Sequence, residues 1–390
     1  MDTPLSIQIT GLPHESTVEL RLSAADTEGA TWTSQAKFLV SDDGVVDVTR
    51  DAPVSGSYSG VAPMGLFWSM KPSHAPPNDT DFVYPPGGFV ATLDVLSGTH
   101  VVASTTLTRA ARSVGVVVRN ERPDGVGFYG EFYSPADPRP SGTAIVVLGG
   151  SEGGLATVGL AELLASHGFP TLALAYFGEP GLPAGVTDIP LEYFAAAAAW
   201  LGRQPGVHSG RVDMLGISRG SEAALLAASD FPDLIHAVVG AAPTSVVNPP
   251  EPGPRGSAWT RQGVPVPSIR AAEAGDPAPV DDPGAVIEVE NIPGPLFLLC
   301  GTDDAAWPSC GYADAIEARR RAHGGAGSDV ELRFVGAGHG VASLVPFISE
   351  ASTTPTFRDD GAVEPGGDPI IDGAGRASAW QRLLAFLSST

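Results

Sequence analysis

A serine stands between two glycines at residues 216–220, in the run Gly-Ile-Ser-Arg-Gly. The apolar residues before it, 210–216, predict a short strand, and residues 222–229, Glu-Ala-Ala-Leu-Leu-Ala-Ala-Ser, predict a helix. A serine on a sharp turn between a strand and a helix exposes its hydroxyl at one end of the sheet, and the glycines leave room for that turn. Because G-x-S-x-G is common by chance in a chain with 48 glycines, the flanking strand and helix are what make Ser218 the predicted nucleophile.

An acid and a base follow later strands. Residues 295–300 are an apolar strand that runs into Gly-Thr-Asp-Asp at 301–304, and residues 330–335 are a strand that runs into Gly-Ala-Gly-His-Gly at 336–340. Only two of the eight histidines, His323 and His339, come after the acidic loop. His323 lies in an arginine-rich polar run that is typical of a solvated helix end. His339 follows a strand and is therefore the predicted base.

The acidic loop offers two carboxylates. The spacing from Gly301 to Pro308 favours Asp304 as the partner of His339, and Asp303 remains the alternative. A serine hydroxyl is a weak nucleophile until a base takes its proton, and a carboxylate holds the imidazole in the correct tautomer. The order serine, acid, histidine along the chain is the order found in α/β hydrolases.

A glycine-rich loop is predicted to complete the site. Residues 143–148 form an apolar strand that leads into Gly-Gly-Ser-Glu-Gly-Gly at 149–154. In α/β hydrolases one oxyanion-binding N–H comes from the residue after the nucleophile and another from a loop after an early strand. The candidates are therefore Arg219 and either Ser151 or Gly150. The glycine spacing matches neither nucleotide-binding fingerprint, and we predict no cofactor and no metal ligands.

Two hydrophobic patterns divide the 390 residues, for which two domains are the expected number. In residues 1–118, short alternating stretches separated by Gly and Pro turns predict a β-sandwich. From residue 119 to 390, apolar strands alternate with helical stretches, of which 191–201 is the clearest, and predict a mostly parallel sheet flanked by helices. A Pro/Gly-rich insertion around 245–290 is expected to be a cap over the substrate pocket, with a flexible surface loop as the alternative.

The net charge of −22 argues against nucleic acid or an anionic membrane as a partner. An anionic acyl carrier would need a local basic patch. Arg255, Arg261 and Arg270 could form one, and the arginines at 319–321 another, although a solvated helix face explains the second run more simply.

Location and redox state follow from what the sequence lacks. We find no basic, apolar leader at the N-terminus and no apolar run of membrane-spanning length. Two cysteines do not make a disulfide framework, and Cys300 is expected to be a buried strand residue. These features predict a cytoplasmic protein.

Four runs, in order, resemble one known family, that of acyl-CoA thioesterases and bile acid-CoA:amino acid N-acyltransferases. They are the apolar segment at 56–70, the nucleophile motif at 216–222, the acid loop with its tryptophan at 301–309, and the histidine loop at 336–339. The resemblance implies an N-terminal immunoglobulin-like β-sandwich joined to an α/β-hydrolase domain, with an acyl thioester as substrate.

The nucleophile distinguishes the two branches of that family, because the transferases use cysteine and the thioesterases serine. Ser218 therefore implies hydrolysis of an acyl thioester through an acyl-enzyme. The alternatives are an acyltransferase acting on an amine or alcohol, a carboxylesterase, and a binding protein without activity, against which the complete triad order argues. Ala305 and Ala306 depart from the family's acid loop, and the acidic residues 353–372 are assigned to no site. The sequence leaves the acyl group, the carrier and the oligomeric state open.

Overall fold

Two β-sheets organise the chain. The structure is a computed structural model that describes residues 1–73, 82–208, 212–253, 256–270, 274–279, 281–325, 327–349, 356–358, 361–363 and 365–390. The first sheet belongs to the N-terminal region, and the second is the centre of the hydrolase domain.

The N-terminal region is all-β, as predicted, apart from one helical turn, α1 (Gly65–Trp68). Its strands are β1 (Gln8–Ile9), β2 (Thr17–Ala25), β3 (Thr31–Leu39), β4 (Val46–Asp47), β5 (Ser55–Gly56), β6 (Lys71–Pro72), β7 (Gly88–Ser97) and β8 (His100–Ala110). An antiparallel sheet has the order β5-β3-β2-β7-β8, with β6 also on β3, and β1 pairs with β4 as a separate ribbon. Alternate side chains of β2 are buried. They share one apolar cluster with Val46 of the ribbon and Leu66 of α1, which cover this face of the sheet.

The remaining strands form the second sheet and two small ones. They are β9 (Val117–Glu121), β10 (Tyr129–Ser134), β11 (Ala144–Leu148), β12 (Thr171–Ala175), β13 (Ile189–Pro190), β14 (Val212–Ile217), β15 (Val238–Ala241), β16 (Trp259–Arg261), β17 (Val264–Pro265), β18 (Leu296–Gly301), β19 (Val330–Phe334), β20 (Thr356–Arg358) and β21 (Gly361–Val363). The large sheet has the order β19-β18-β15-β14-β11-β12-β10-β9. Every pairing from β19 to β12 is parallel, and β10 and β9 are antiparallel to their neighbours.

Helices cover both faces of this sheet. They are α2 (Pro123–Val126), α3 (Val158–Ser166), α4 (Leu191–Leu201), α5 (Arg219–Asp230), α6 (Ser309–Ala322) and α7 (Pro369–Leu387). On one face, Ile145 of β11 shares a cluster with Leu164 of α3 and Trp380 of α7. On the other, Val146 shares a cluster with Phe194 of α4 and with side chains of α5 and α6. A parallel sheet buried on both faces has the near-continuous apolar strands that the sequence displays, and the predicted α/β-hydrolase fold is confirmed.

The N-terminal sheet lies on the α3 and α7 side and shares its core. The ring of Trp68 is 3.1 Å from the position that a Cβ on Gly373 of α7 would take. The N–H of Gly87 donates to both carboxylate oxygens of the buried Glu162 of α3, at 3.1 and 3.0 Å. The predicted division near residue 118 stays a proposal, and the gap between the end of β8 and the start of β9 is where a boundary fits.

The insertion at 245–290 contains regular structure. β16 pairs in parallel with β13 and forms a hairpin with β17, and Trp259 on β16 is fully buried. Two 3₁₀ turns, Pro283–Ala285 and Val289–Asn291, precede β18. The described part of the insertion therefore packs onto the domain through a hairpin, and its role as a cap remains a proposal.

The expectation for the cysteines is wrong in one respect. Cys300 is buried at the end of β18, as predicted, but it forms a disulfide with Cys310 in the first turn of α6. The sequence separation of ten residues did not signal the pairing, because it depends on α6 folding back against β18. Among the described residues, no helix combines the length and the apolarity needed to cross a bilayer.

Candidate active site

Ser218 occupies the turn between β14 and α5. Its backbone has φ 53° and ψ −120°, a left-handed conformation that a non-glycine residue adopts only at a cost. A Cβ on Gly216 would lie 2.1 Å from the carbonyl oxygen of Gly220, and a Cβ on Gly220 would lie 2.3 Å from that of Gly149. Both glycines are therefore sterically required, and the serine is held at the carboxyl end of the sheet, half-buried.

His339 contacts Asp304. Its Nδ1 lies 2.9 Å from Oδ2 and 3.1 Å from Oδ1 of that carboxylate. The backbone N–H groups of Ala306 and Trp307 also donate to Asp304 Oδ1, at 3.0 and 3.3 Å. The carboxylate is 1% exposed and the imidazole 21% exposed. A carboxylate in this position keeps the proton on Nδ1, which leaves Nε2 as the nitrogen that can act as a base.

Asp303 has different surroundings. Its side chain is exposed and accepts a hydrogen bond from the hydroxyl of Thr302 at 2.9 Å. It makes no contact with His339 among the described hydrogen bonds and ion pairs. Of the two carboxylates that the sequence offered, the structure places Asp304 against the histidine.

Trp307 connects the loop that carries Asp304 to the turn that carries Ser218. Its indole N–H donates to the carbonyl of Ala242 at 3.2 Å, and the preceding carbonyl, of Ala241, accepts the N–H of Ser218 at 2.9 Å. The Trp307 ring also meets the His339 ring edge to face, with centroids 5.9 Å apart. Because β14, β15, β18 and β19 are neighbours, the loops that carry Ser218, Asp304 and His339 end at the same edge of the sheet.

Gly150, one of the predicted oxyanion donors, lies beside Ser218. A Cβ on Gly150 would be 3.1 Å from the Cβ of Ser218. Its N–H, however, donates to Oε1 of Glu152 at 2.8 Å, and the other carboxylate oxygen, Oε2, lies 2.8 Å from the same Cβ position. The sequence did not indicate that a carboxylate of the same loop would take this N–H.

Tyr176 fixes the backbone of the loop. Its buried hydroxyl is 2.8 Å from the carbonyl of Gly149 and 3.1 Å from that of Gly150. Burial raises the pKa of Tyr176 well above its usual value, so the hydroxyl keeps its proton and donates. Ser151 follows in the same loop, and Arg219 is the first residue of α5, directly after Ser218. The three predicted oxyanion residues therefore come from two segments, the glycine-rich loop and the start of α5.

A buried polar cluster lies in the first turn of α5, directly after Ser218. Arg219 donates from Nη1 to Glu222 at 2.9 Å, and Trp259 and Asn248 donate to the same carboxylate at 2.6 and 2.8 Å. Arg219 Nη2 also reaches the carbonyl of Pro249 at 3.1 Å. Burial raises the pKa of the Glu222 carboxyl, against the effect of Arg219 and the hydrogen bonds. The cluster therefore ties the first turn of α5 to the insertion.

The predicted basic patches are compensated within the chain. The ion pairs are Arg261–Asp230, Arg270–Asp281, Arg270–Asp282, Arg319–Glu290, Arg320–Asp329 and Arg321–Glu317. Arg255 lies outside the described residues. Each of the other arginines proposed for these patches faces a carboxylate, and none of them contributes an uncompensated positive charge. Among the described residues, no three His, Cys, Asp or Glu side chains are grouped as metal ligands.

Two family models match the chain. One, described as "Acyl-CoA thioester hydrolase/BAAT N-terminal region", matches residues 2–122. The other, described as "BAAT / Acyl-CoA thioester hydrolase C terminal", matches residues 189–252 and 269–390. Together the two matches cover most of the chain. The first ends near the change from the first sheet to the second, and residues 123–188 lie between the two matches.

Relatives that align with nearly the whole chain support the same family. Acyl-coenzyme A thioesterase 6 of Mus musculus is 31% identical over 99% of this chain and 93% of its own length. The mitochondrial acyl-coenzyme A thioesterase 2 of Mus musculus is 30% identical over 99% and 86%. The peroxisomal succinyl-coenzyme A thioesterase of the same species is 29% identical over 99% and 93%.

Solved structures align less closely. A dienelactone hydrolase-like promiscuous phosphotriesterase from metagenomic libraries has a TM-score of 0.44 at 16% identity, over 70% of this chain and 98% of that chain. A puromycin-hydrolyzing peptidase from Mycobacterium tuberculosis has a TM-score of 0.49 at 13% identity, over 94% and 53%. The fold assignment depends on the strand order described above and on the family matches. With both family models and relatives of about this length in agreement, the chain belongs to the acyl-CoA thioester hydrolase/BAAT family.

Proposed function

We propose that the protein is a serine thioesterase that hydrolyses acyl thioesters of coenzyme A. The observation that carries the proposal is the contact between His339 Nδ1 and Asp304, at the sheet edge where the Ser218 turn also lies. Family membership and the thioesterase names of relatives that span nearly the whole chain support the substrate class. A serine at the nucleophile position supports hydrolysis over amide formation.

In the first half of the proposed reaction, His339 Nε2 takes the proton of the Ser218 hydroxyl as Oγ bonds to the thioester carbon. The carbonyl oxygen becomes an oxyanion, which the N–H groups of Arg219 and of Gly150 or Ser151 stabilise. Donors of this kind are worth roughly 3–4 kcal/mol each in the transition state. The carbon–sulfur bond then breaks, the thiol takes the proton from His339 and leaves, and the acyl group stays on Ser218.

In the second half, water attacks the acyl-enzyme. His339 accepts a proton from the water, and the tetrahedral oxyanion uses the same N–H groups. When the intermediate collapses, Ser218 recovers its proton from His339 and the carboxylic acid is released. Asp304 stays ionised and stabilises the imidazolium in both halves.

Intact-mass analysis tests the proposal. The protein is incubated with a panel of acyl-CoA thioesters, with and without glycine or taurine, and Ser218→Ala is the control. The expected result is a transient adduct of the acyl mass on the wild type, none on Ser218→Ala, and free acid as the product. An amide product would instead favour the acyltransferase alternative, and turnover by Ser218→Ala at the wild-type rate would contradict the nucleophile assignment.

We also propose that the partner is a small molecule and that neither nucleic acid nor a membrane surface binds. The net charge of −22 supports this, because both of those partners are polyanionic. We further propose a cytoplasmic location. The Cys300–Cys310 disulfide argues against this location, because cytosolic reductants usually keep cysteines as free thiols. Fractionation of the source cells with an antibody against the protein would test the location.

A further inference from the structure

The residues just before α7 lie between the acid loop and the histidine loop. The carbonyl of Pro365 accepts the N–H of His339 at 2.8 Å and the N–H of Ala305 at 3.3 Å. Asp304 forms an isolated antiparallel bridge with Gly366. One short stretch of backbone is therefore hydrogen-bonded to both loops of the proposed acid–base pair.

Two glycines allow this close approach. Gly366 and Gly367 have φ of +70° and +69°, the left-handed region that favours glycine. A Cβ on Gly366 would lie 2.1 Å from the carbonyl oxygen of Asp303, and a Cβ on Gly367 would lie 1.9 Å from the backbone nitrogen of Gly338. A side chain at either position would have to push the neighbouring loop away.

The first turns of α7 hold the other side of the histidine loop. The N–H of Gly338 donates to Oδ1 of Asp372 at 2.8 Å. Arg376 donates from Nη1 to the carbonyl of Gly340 at 3.0 Å and from Nη2 to that of Ile348 at 3.0 Å. Asp372 and Arg376 are 0% and 1% exposed. The residues immediately before and after His339 are thus fixed by two buried charged side chains of one helix.

We infer that residues 365–368, Asp372 and Arg376 form a positioning strap that sets His339 against Asp304 for catalysis. The inference rests on the proposed function, because it takes His339 as the base. None of these residues is assigned contact with substrate, so they act through the histidine. The acidic stretch 353–372, which the sequence assigned to no site, thereby acquires a role at its C-terminal end.

The reason to expect a catalytic effect is geometric. A displacement of about 1 Å at a reacting group costs on the order of a hundredfold in rate. A Cβ on Gly367 needs a shift of at least that size, since carbon and nitrogen atoms that are not bonded to each other do not approach to 1.9 Å. Because none of the strap residues is assigned contact with substrate, substrate binding should change little.

The test compares Gly367→Ala with Gly324→Ala. Gly324 has φ +80° and nothing within 4 Å of a Cβ. An alanine there has a similar backbone strain but displaces no neighbouring loop. Steady-state kinetics with an acyl-CoA should show kcat of Gly367→Ala reduced by about a hundredfold with KM within threefold. Gly324→Ala should stay within twofold of the wild type. Equal kcat values in the two variants would overturn the inference.

A second pair guards against a folding defect. Arg376→Met and Arg382→Met alter the same helix, but Arg382 is exposed. Thermal melting establishes that each variant is folded. We expect kcat of Arg376→Met to fall by at least tenfold with KM unchanged, and Arg376→Lys to recover part of the loss because it can still donate to one carbonyl. A loss in KM alone, or no loss in folded Arg376→Met, would contradict the strap.

The rate at which a fluorophosphonate labels Ser218 keeps the two proposals separable. Labelling needs the serine and histidine but no thioester. If the wild type hydrolyses no acyl-CoA yet labels rapidly, the proposed function is wrong and the labelling rates of Gly367→Ala and Gly324→Ala still decide on the strap. The expected result is slow labelling of Gly367→Ala only, and equal labelling rates would overturn the inference.

Discussion

The adjacent carboxylates of Asp303 and Asp304 allow a matched comparison of single residues. Only Asp304 contacts His339, whereas Asp303 is exposed. In a serine protease, replacing the triad aspartate by asparagine lowers kcat by about ten-thousandfold, because the histidine takes the wrong tautomer. We expect a loss of that order for Asp304→Asn and less than threefold for Asp303→Asn. Initial rates with one acyl-CoA measure both, and similar losses would leave the acid unidentified.

Glu152 suggests a second prediction for a single residue. In the resting structure its carboxylate accepts the N–H of Gly150, beside Ser218. An oxyanion that uses this N–H must displace the carboxylate and is repelled by it if it stays near. Glu152→Gln should therefore bind a trifluoromethyl ketone inhibitor, which becomes an oxyanion on Ser218, several-fold more tightly than the wild type. Inhibition constants at constant pH measure the effect, and weaker binding would mean that Glu152 supports the loop and does not compete with the oxyanion.

Strand ends explain which site residues the sequence could predict. Ser218, Asp304 and His339 each follow an apolar strand and lie in a glycine-rich turn. Strands and turns of this kind can be recognised from the amino-acid sequence alone. The hydrogen bond from the Gly150 N–H to Glu152 depends on how the loop folds on itself, so no sequence pattern indicated it. Arg376 is far from any motif, and its contact with Gly340 arises only when α7 packs on the sheet.

At the scale of secondary-structure elements, a disulfide bond closes the loop that carries Asp304. The Cys300–Cys310 disulfide joins the end of β18 to the start of α6, and Asp304 and Trp307 lie in the loop between them. Closing a loop of this length stabilises a protein by about 2–3 kcal/mol in the chain-entropy account. The bond therefore restricts the loop that carries the proposed triad acid.

We expect a reductant to lower the free energy of unfolding of the wild type but not that of the Cys300→Ala/Cys310→Ala double variant. Urea unfolding should give a loss of about 2 kcal/mol for the wild type in dithiothreitol, and activity should fall with it because Asp304 becomes more mobile. In the double variant, stability and activity should be insensitive to dithiothreitol. An equal effect of the reductant on both proteins would show that the disulfide is not its target.

Regular elements were largely predictable, and the insertion was not. The helix expected at 191–201 is α4, and the apolar strands before the three site loops are β14, β18 and β19. Their patterns are strong because both faces of the sheet are buried. The hairpin of β16 and β17 has few residues and many prolines nearby. What fixes it is the burial of Trp259 and its hydrogen bond to Glu222, a long-range contact that no local pattern encodes.

At the scale of the whole molecule, the two sheets share one apolar cluster. Tyr58, Phe67 and Trp68 are 3%, 0% and 6% exposed, although they lie in a segment whose apolar character predicted a covering neighbour. That neighbour includes α7 at Gly373. The sequence could predict two domains and an apolar segment between 56 and 70, but the partner face was set by tertiary packing.

Removing residues 1–118 should therefore leave an insoluble or poorly active hydrolase domain. The truncation would expose the apolar surface on α3 and α7 that the first sheet covers, and it would cut into β9 at the edge of the second sheet. A truncation that starts at residue 111 keeps β9 and serves as the comparison. Soluble yield and activity per folded molecule are the measurements. Full activity in a soluble, truncated protein would show that the first domain is dispensable.

Asp2 connects the N-terminal region to both covering helices of this face. Its carboxylate is paired with the ring of His167, directly after α3, and accepts the indole N–H of Trp380 in α7 at 2.7 Å. Burial by itself would raise the pKa of Asp2. The hydrogen bonds from His167 and Trp380 together outweigh burial and lower the pKa to about 2, from its usual 3.8.

This shift predicts how stability depends on pH. The pKa of Asp2 is lower in the folded than in the unfolded state. The ionised carboxylate therefore stabilises the fold at pH values above the pKa that Asp2 has in the unfolded chain. That stabilisation is lost as the pH falls from 3.8 to about 2. Because the carboxylate is partly exposed and screened by solvent, we expect it to contribute about 1–2 kcal/mol to the free energy of unfolding. Urea unfolding between about pH 2 and pH 7 should therefore show Asp2→Asn less stable than the wild type above about pH 5 and nearly equal to it near pH 2. Asp42→Asn, at an exposed position of the same domain, should parallel the wild type throughout, and a stability gap for Asp2→Asn that does not close in acid would contradict the assignment.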